Sequence, residues 1–311
     1  MANYNLKKGI IYSSIGVFLI GLQPVIANSR PVSIDPIIFG GITALIEALI
    51  FLPIYLIEKK SIKRENKDSS LLNGWKKRNN IYLFVIIGLT FSAIPIMLYI
   101  GFELTGAINS SLALKSEIVV ALFFGYLFLN EKISKLQLFF CAILFLGLFI
   151  AITEGFKYVI GFDLGVLIIL ISVILFTLIH TLTKIKFDQD ELFPSQVVFI
   201  RNLMSGSLIT IIYVMIFPLE NLNVIFYGNN FLFFLIMGID YGFSLFVWYK
   251  ALTYIEIGKS SIIISFTPIV SSFFSFIFLA ENFTVFHLIG MTLIIISVIM
   301  IVKMKKKVST T

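Results

Sequence analysis

Charge is scarce in this chain. Only 13% of its 311 residues are Asp, Glu, Lys or Arg, where a soluble globular domain carries about 25%. A surface so poor in charge cannot face water, and a soluble fold is excluded. Cysteine is almost missing: Cys141 stands alone, so no intrachain disulfide forms, and its place in an apolar run reads as packing. The two histidines, His180 and His287, lie near the ends of apolar runs and far apart, and neither reads as a metal ligand. There is no P-loop, no glycine-rich phosphate cradle, no nucleophile elbow and no Cys/His cluster. Nothing in the chain supports ATP hydrolysis or enzymatic catalysis, and no cofactor or metal is expected. The first apolar segment is not followed by a small-residue cleavage site, which reads as an uncleaved first span.

What is present in excess is apolar length. The chain is 59% hydrophobic with a mean hydropathy of +1.01. A helix crosses a bilayer with about 20 apolar residues. That ruler gives ten spans, at roughly 9–28, 36–57, 80–102, 106–129, 136–153, 163–184, 194–217, 230–254, 259–279 and 284–302. The expected fold class is therefore all-α and integral to a membrane. Most connections are short, and the exception is a polar, basic loop over Glu58–Asn79.

Basic residues collect in cytoplasmic loops. With the N-terminus inside, nineteen Lys and Arg fall on the inner side and only Arg30 and Lys157 on the outer side. Lys115, Arg201 and Lys250 lie within spans. The count predicts cytoplasmic termini and an even number of spans. It also explains the net charge of +7 as topology and contact with anionic lipid, and argues against nucleic acid as a partner. The basic tail 304–311 reads as solvated.

A shift of 150 residues lays the chain on itself. Asn79-Asn80 falls on Asn229-Asn230, Gly88 on Gly238, Tyr99 on Tyr249, Ser110-Ser111 on Ser260-Ser261, and Glu131 on Glu281. Five spans per half is odd, so the halves run in opposite senses across the membrane. The expected units are 1–157 and 158–303, followed by the tail. Inverted repeats of this kind suit an alternating-access carrier, with the substrate near the midplane between the halves.

Both halves also carry the same punctuation. A span rich in small residues ends in Leu/Phe-x-Glu, and a polar turn and another span follow. Here it reads FLNEKIS over 128–134 and FLAENFT over 278–284. With these marks the whole chain resembles the ten-span, EamA-type branch of the drug/metabolite transporter superfamily. The mid-span proline of that pattern is present as Pro268, whereas Ile118 stands in its place in the first half. The resemblance implies a carrier of small metabolites and names no substrate.

Ionisable residues inside a span cost several kcal/mol each, about 2.5–3.5 on insertion scales, and usually face a bundle interior or a water-filled path. Lys115 and Glu117 sit in the middle of span 4, about 200° apart on a regular helix. They cannot share a face. Lys115, with Ser111, is expected on the cavity. Glu117, on a face of small residues, is expected in a packing seam as a paired or neutral acid, with reversed roles as the alternative. The resemblance adds that carriers of sugar phosphates and nucleotide sugars hold a lysine at a similar place, facing an anion. Here Ser265 stands opposite Lys115 in the repeat, where a phosphate carrier would hold further cations, so one carboxylate fits better than a phosphate.

Glu47 in span 2 is open to two readings: an ion pair with Lys115, or an acid that meets an ammonium group or a proton. In span 8, Asp240, Tyr241, Ser244 and Trp248 form a stripe that suits a partly apolar, cationic substrate group, or simple packing. In span 9, Ser261, Ser265, Pro268, Ser272 and Ser275 form a small-residue stripe, with Pro268 freeing a carbonyl as a candidate hinge. Arg201, Lys184 and Lys250 read as side chains that snorkel to the interface. The expectation is a plasma-membrane exporter of an amino-acid-like zwitterion, monomeric or homodimeric, with a proton as candidate coupling ion. Its rivals are an organic-anion or sugar-phosphate exchanger and a non-transporting membrane protein.

Overall fold

Lipid offers no hydrogen bonds to a backbone, so each crossing segment must satisfy its own. The computed structural model does this with helices throughout, and no strand occurs among the described residues, which are 5–64, 69–129, 133–155, 163–255 and 257–303. Ten helices among them are long and apolar enough to cross a membrane. Span 1 is Leu6–Ser29, span 2 Pro36–Arg64, span 3 Arg78–Thr105, span 4 Ala107–Phe128 and span 5 Lys135–Ile152. Span 6 is Leu164–Asp188, span 7 Pro194–Ile216, span 8 Asn230–Tyr254, span 9 Ser260–Phe278 and span 10 Val285–Lys303.

Local chemistry sets several of these starts. Ser134 and Gln137 form a reciprocal capping box at span 5. The Asp163 carboxylate accepts from the Val166 N–H at 3.1 Å and opens span 6. The expected loop over Glu58–Asn79 is corrected in part. Span 2 stays helical to Arg64, and a short helix at Ser69–Asn73 and a 3-10 turn at Gly74–Lys76 precede span 3. Its Glu, Lys, Ser and Arg residues contain no Gly or Pro to stop the helix, and Lys63 and Arg64 in the last turn suit its negative end.

The spans pair mostly across the sequence halves. Span 2 packs on span 7, and span 5 on span 10. Span 1 packs on spans 8 and 9 as span 6 packs on spans 3 and 4, while spans 3 and 7 meet as spans 8 and 2 do. Each pairing is the repeat image of another, or of itself. Small residues let the axes close in. At the crossing of spans 5 and 10, a Cβ on Gly290 would stand 2.4 Å from the Gly147 carbonyl oxygen.

Spans 4 and 9 are broken at matching places. Span 4 runs through helices Ala107–Ala113 and Glu117–Leu129 with a 3-10 turn at Leu114–Ser116 between them. Span 9 runs through helices Ile257–Ile264 and Thr267–Phe278. Adding 150 to 114–116 gives 264–266, which spans the second break. The first break forms although Ile118 stands where the proline would be.

Glu281 ties the two breaks' helices together at one end of the bundle. Its carboxylate accepts from the Ala107 N–H at 2.7 Å and the Ile108 N–H at 3.0 Å, at the start of span 4. Gly106 precedes them with φ +78, a turn that suits glycine. The repeat mate Glu131 and the tail 304–311 lie outside the described residues.

Candidate functional site

The two helix breaks border one cavity. It offers about 90 Å³ to the centres of water-sized groups, well beyond the 10–15 Å³ or so that one water needs. Lys115, Glu117 and Leu114 line it from span 4, Ile264 from span 9, and Tyr241, Ser244, Leu245 and Trp248 from span 8. Spans 6, 3 and 1 add Phe176 and His180, Phe91 and Leu98, and Gln23.

Lys115 is 5% exposed, and its ammonium donates to the Ile264 carbonyl at 3.1 Å. Glu117 lines the same cavity, which corrects its expected place in a packing seam. The 3-10 turn explains the difference. At 3.0 residues per turn, two positions apart means roughly 120° on the shorter arc, where a regular helix gives roughly 160°. Both charges therefore reach one space.

Glu47 pairs elsewhere, so the ion pair with Lys115, one of its two readings, does not form. Its carboxylate lies 3.7 Å from the Arg201 guanidinium and accepts from the Asn202 amide at 2.6 Å. Arg201 donates through Nε to Asn202 at 2.9 Å, and its guanidinium lies over the Phe91 ring, 4.2 Å from the centroid. At 2% exposure Arg201 does not snorkel, which corrects that expectation. A buried acid within reach makes an ion pair cheaper than the stretch to the interface. Lys250 also pairs, with Glu58, whose carboxylate accepts from the Ser195 hydroxyl as well.

Of the span 8 stripe, Tyr241, Ser244 and Trp248 line the cavity. Ser244 accepts from the Gln23 amide at 2.7 Å. Asp240 is 5% exposed and lies outside the cavity lining, with one carboxylate oxygen buried and without a partner among the described residues. Ser111 and Ser265 turn inward on their own helices, donating to the carbonyls of Ile108 and Ile262. Pro268 opens the second piece of span 9 and has no N–H for the residue four places earlier, Ile264. His180, read from the sequence as a residue near a span end, is part of the cavity wall. Its signal was a histidine one turn after Phe176 and set between Thr177 and Thr181.

Residues 7–153 and 163–303 each match the EamA-like transporter family. This chain belongs to that family. The EamA-like matches fall on the two halves found by the 150-residue shift and fit a ten-helix transporter of the drug/metabolite transporter superfamily. One solved crystal structure aligns over 95% of this chain and 96% of its own, with TM-score 0.66 and 12% identity. At that identity the likeness shows the fold alone. No curated protein matches the sequence. The family and the ten apolar helices make this a multi-pass membrane protein and a transporter of small molecules.

Proposed function

We propose that this EamA-like protein is a secondary, alternating-access carrier of a small zwitterion of the amino-acid kind, acting in the plasma membrane with both termini in the cytoplasm. One observation carries the substrate class: Lys115 and Glu117 line the same cavity. The lining holds one fixed cation and one acid. A substrate with a carboxylate and an ammonium group matches both, Lys115 meeting the carboxylate and Glu117 the amine. A phosphate would bring two negative charges to one lysine, and the nearby Arg201 is engaged by Glu47 and Asn202. The anion-exchanger alternative loses support on those grounds.

Conformational exchange follows from the same contact. Lys115 bridges the breaks of spans 4 and 9 by holding the Ile264 carbonyl. A substrate carboxylate competes for that ammonium and releases the bridge, giving the differential contact that a change of state requires. Pro268 is the hinge in this reading. Asp240 is the candidate proton carrier, as a buried acid beside the cavity helix face.

The test is counterflow in proteoliposomes loaded with amino acids, amines or organic anions. Zwitterions should exchange, and Lys115→Met and Glu117→Gln should each slow exchange about tenfold or more, the loss of some 1.4 kcal/mol. Unchanged amino-acid flux in Lys115→Met, at equal protein per vesicle, would refute the assignment.

A further inference from the structure

Away from Lys115 and Glu117, the cavity wall is aromatic but not inert. His180 of span 6 and Trp248 of span 8 face one another with ring centroids 6.4 Å apart. Phe176 lies 5.4 Å from the His180 ring, and Phe91 stacks on it at 6.2 Å. All four residues line the cavity. Trp248 is 5% exposed and its indole nitrogen has no hydrogen-bond partner among the described residues. Neither ring nitrogen of His180 has one either. Buried polar atoms are nearly always satisfied, and three orphans on two adjoining rings call for an explanation.

Packing alone does not supply it. A core position gains nothing from a histidine whose two nitrogens are buried without a hydrogen-bond partner, because each is left desolvated and unpaired. Phenylalanine would fill the same space without that cost. A ligand that pairs with these atoms resolves the conflict.

We propose that His180 and Trp248 form a second subsite of this cavity, which receives the substrate's side chain and selects a flat one bearing a hydrogen-bond acceptor. The inference rests on the zwitterion reading above and names the end of the substrate that reading leaves open. The chemistry of the donors sets the choice. An indole N–H only donates, so it needs an acceptor. A neutral imidazole offers one donor and one acceptor, so a carbonyl, hydroxyl or ring nitrogen can be met from two sides. Phe91 and Phe176 give that group ring faces to lie against, which favours a planar side chain over a branched one. A side chain without an acceptor leaves the buried donors unpaired, and sites built on such donors reject it strongly.

The test uses the full-length protein in proteoliposomes and compares counterflow of histidine, tyrosine and glutamine with that of phenylalanine and leucine. The wild type should prefer the acceptor-bearing set by about tenfold or more. Trp248→Phe and His180→Phe keep a flat ring and remove the nitrogens. Each should shrink that preference about tenfold, through a higher KM for the acceptor-bearing set while leucine and phenylalanine hold or improve. A general loss of function would instead slow all five alike and overturn the subsite, as would variants that keep the wild-type preference. A wild type that carries none of the five overturns the zwitterion reading, and this subsite with it. Melting temperatures are read in parallel, and where Trp248→Phe does not fold, His180→Phe and His180→Asn make the same comparison.

Discussion

The ammonium of Lys115 sits 3.1 Å from the Ile264 carbonyl oxygen, the one carbonyl that Pro268 leaves without a donor four residues on. The lysine of one half thus completes the backbone of the other. Proline inside a membrane helix is tolerated where a neighbour satisfies the freed group, and here that neighbour is a charge that lines the cavity. Pro268→Ala would supply the missing N–H. The helix should then hold its own carbonyl, melting should rise by up to about 1 kcal/mol in stability, and exchange should slow because Lys115 has lost its resting partner. Melting and counterflow, measured on one preparation, check this. A variant that gains stability and keeps full exchange would show that the bridge plays no part in transport.

The Glu47–Arg201 pair is a charge relationship of a different kind. Both side chains are almost fully buried, at 3% and 2% exposure. Removing one partner leaves the other uncompensated. Glu47→Ala and Arg201→Ala should each destabilise by about 3–5 kcal/mol, and the double change should cost less than the sum. The cycle is read from thermal or denaturant unfolding in detergent. Additive losses would mean that the two do not depend on each other.

At the end of the bundle that carries Glu58, Glu191 gathers Lys77 at 2.6 Å, Asn80 at 2.9 Å and Lys186 at 3.0 Å. The hydrogen bond from Lys77, then that from Asn80, pulls its carboxyl from the ordinary 4.5 to about 2. A folded value below the unfolded one stabilises the folded state when the group is ionised. The contribution is full above pH 4.5 and fades as the pH falls to about 2. Glu191→Gln should therefore lower stability at neutral pH and flatten the acid limb of the melting curve between these values. Wild-type and variant curves that run parallel through that window would rule the effect out.

Spans 5 and 10 cross through two glycines, with a Cβ on Gly147 reaching 2.9 Å from the Gly290 oxygen and one on Gly290 reaching 2.4 Å from the Gly147 oxygen. Backbone cannot yield as a side-chain tip can. Gly290→Ala should force the helices apart and cost about 1–3 kcal/mol, with Gly290→Val costing more. The contrast is Gly40→Ala, whose new Cβ would find its nearest neighbours at 3.6 Å, an ordinary contact. Melting of the three variants orders them, and equal losses at Gly40 and Gly290 would contradict the close crossing.

The spans and their repeat were legible because membrane insertion writes itself into twenty-residue runs, and a duplication leaves its offset in Ser110, Tyr99 and Glu131. Local signals did well too: Pro268 marked the span 9 break. The partners of buried charges were not legible. Periodicity on a regular helix put Glu117 on the wrong side because the 3-10 turn at 114–116 has no sequence mark of its own. Arg201 looked close enough to an interface to reach it, and only the crossing of spans 2 and 7 shows Glu47 waiting nearer. His180 lies deeper than its place near 184 implied because span 6 runs on as helix to Asp188.

Glu281 closes the start of span 4 by accepting from the N–H groups of Ala107 and Ile108, and its location between a helix N-terminus and a glycine turn gives two routes to the same lesion. Glu281→Ala removes both acceptors and the negative charge that the helix start favours, at a cost of about 0.5–2 kcal/mol. Glu281→Gln keeps one acceptor oxygen and should fall between the two. Gly106→Ala places a Cβ 3.2 Å from the same carboxylate and forces alanine to φ +78, so it should lose a comparable amount. Because each change spoils the contact the other depends on, Gly106→Ala with Glu281→Ala should cost less than the two losses added. Thermal unfolding of the four variants decides it, and strict additivity would place the strain of Gly106 and the cap of Glu281 in separate structures.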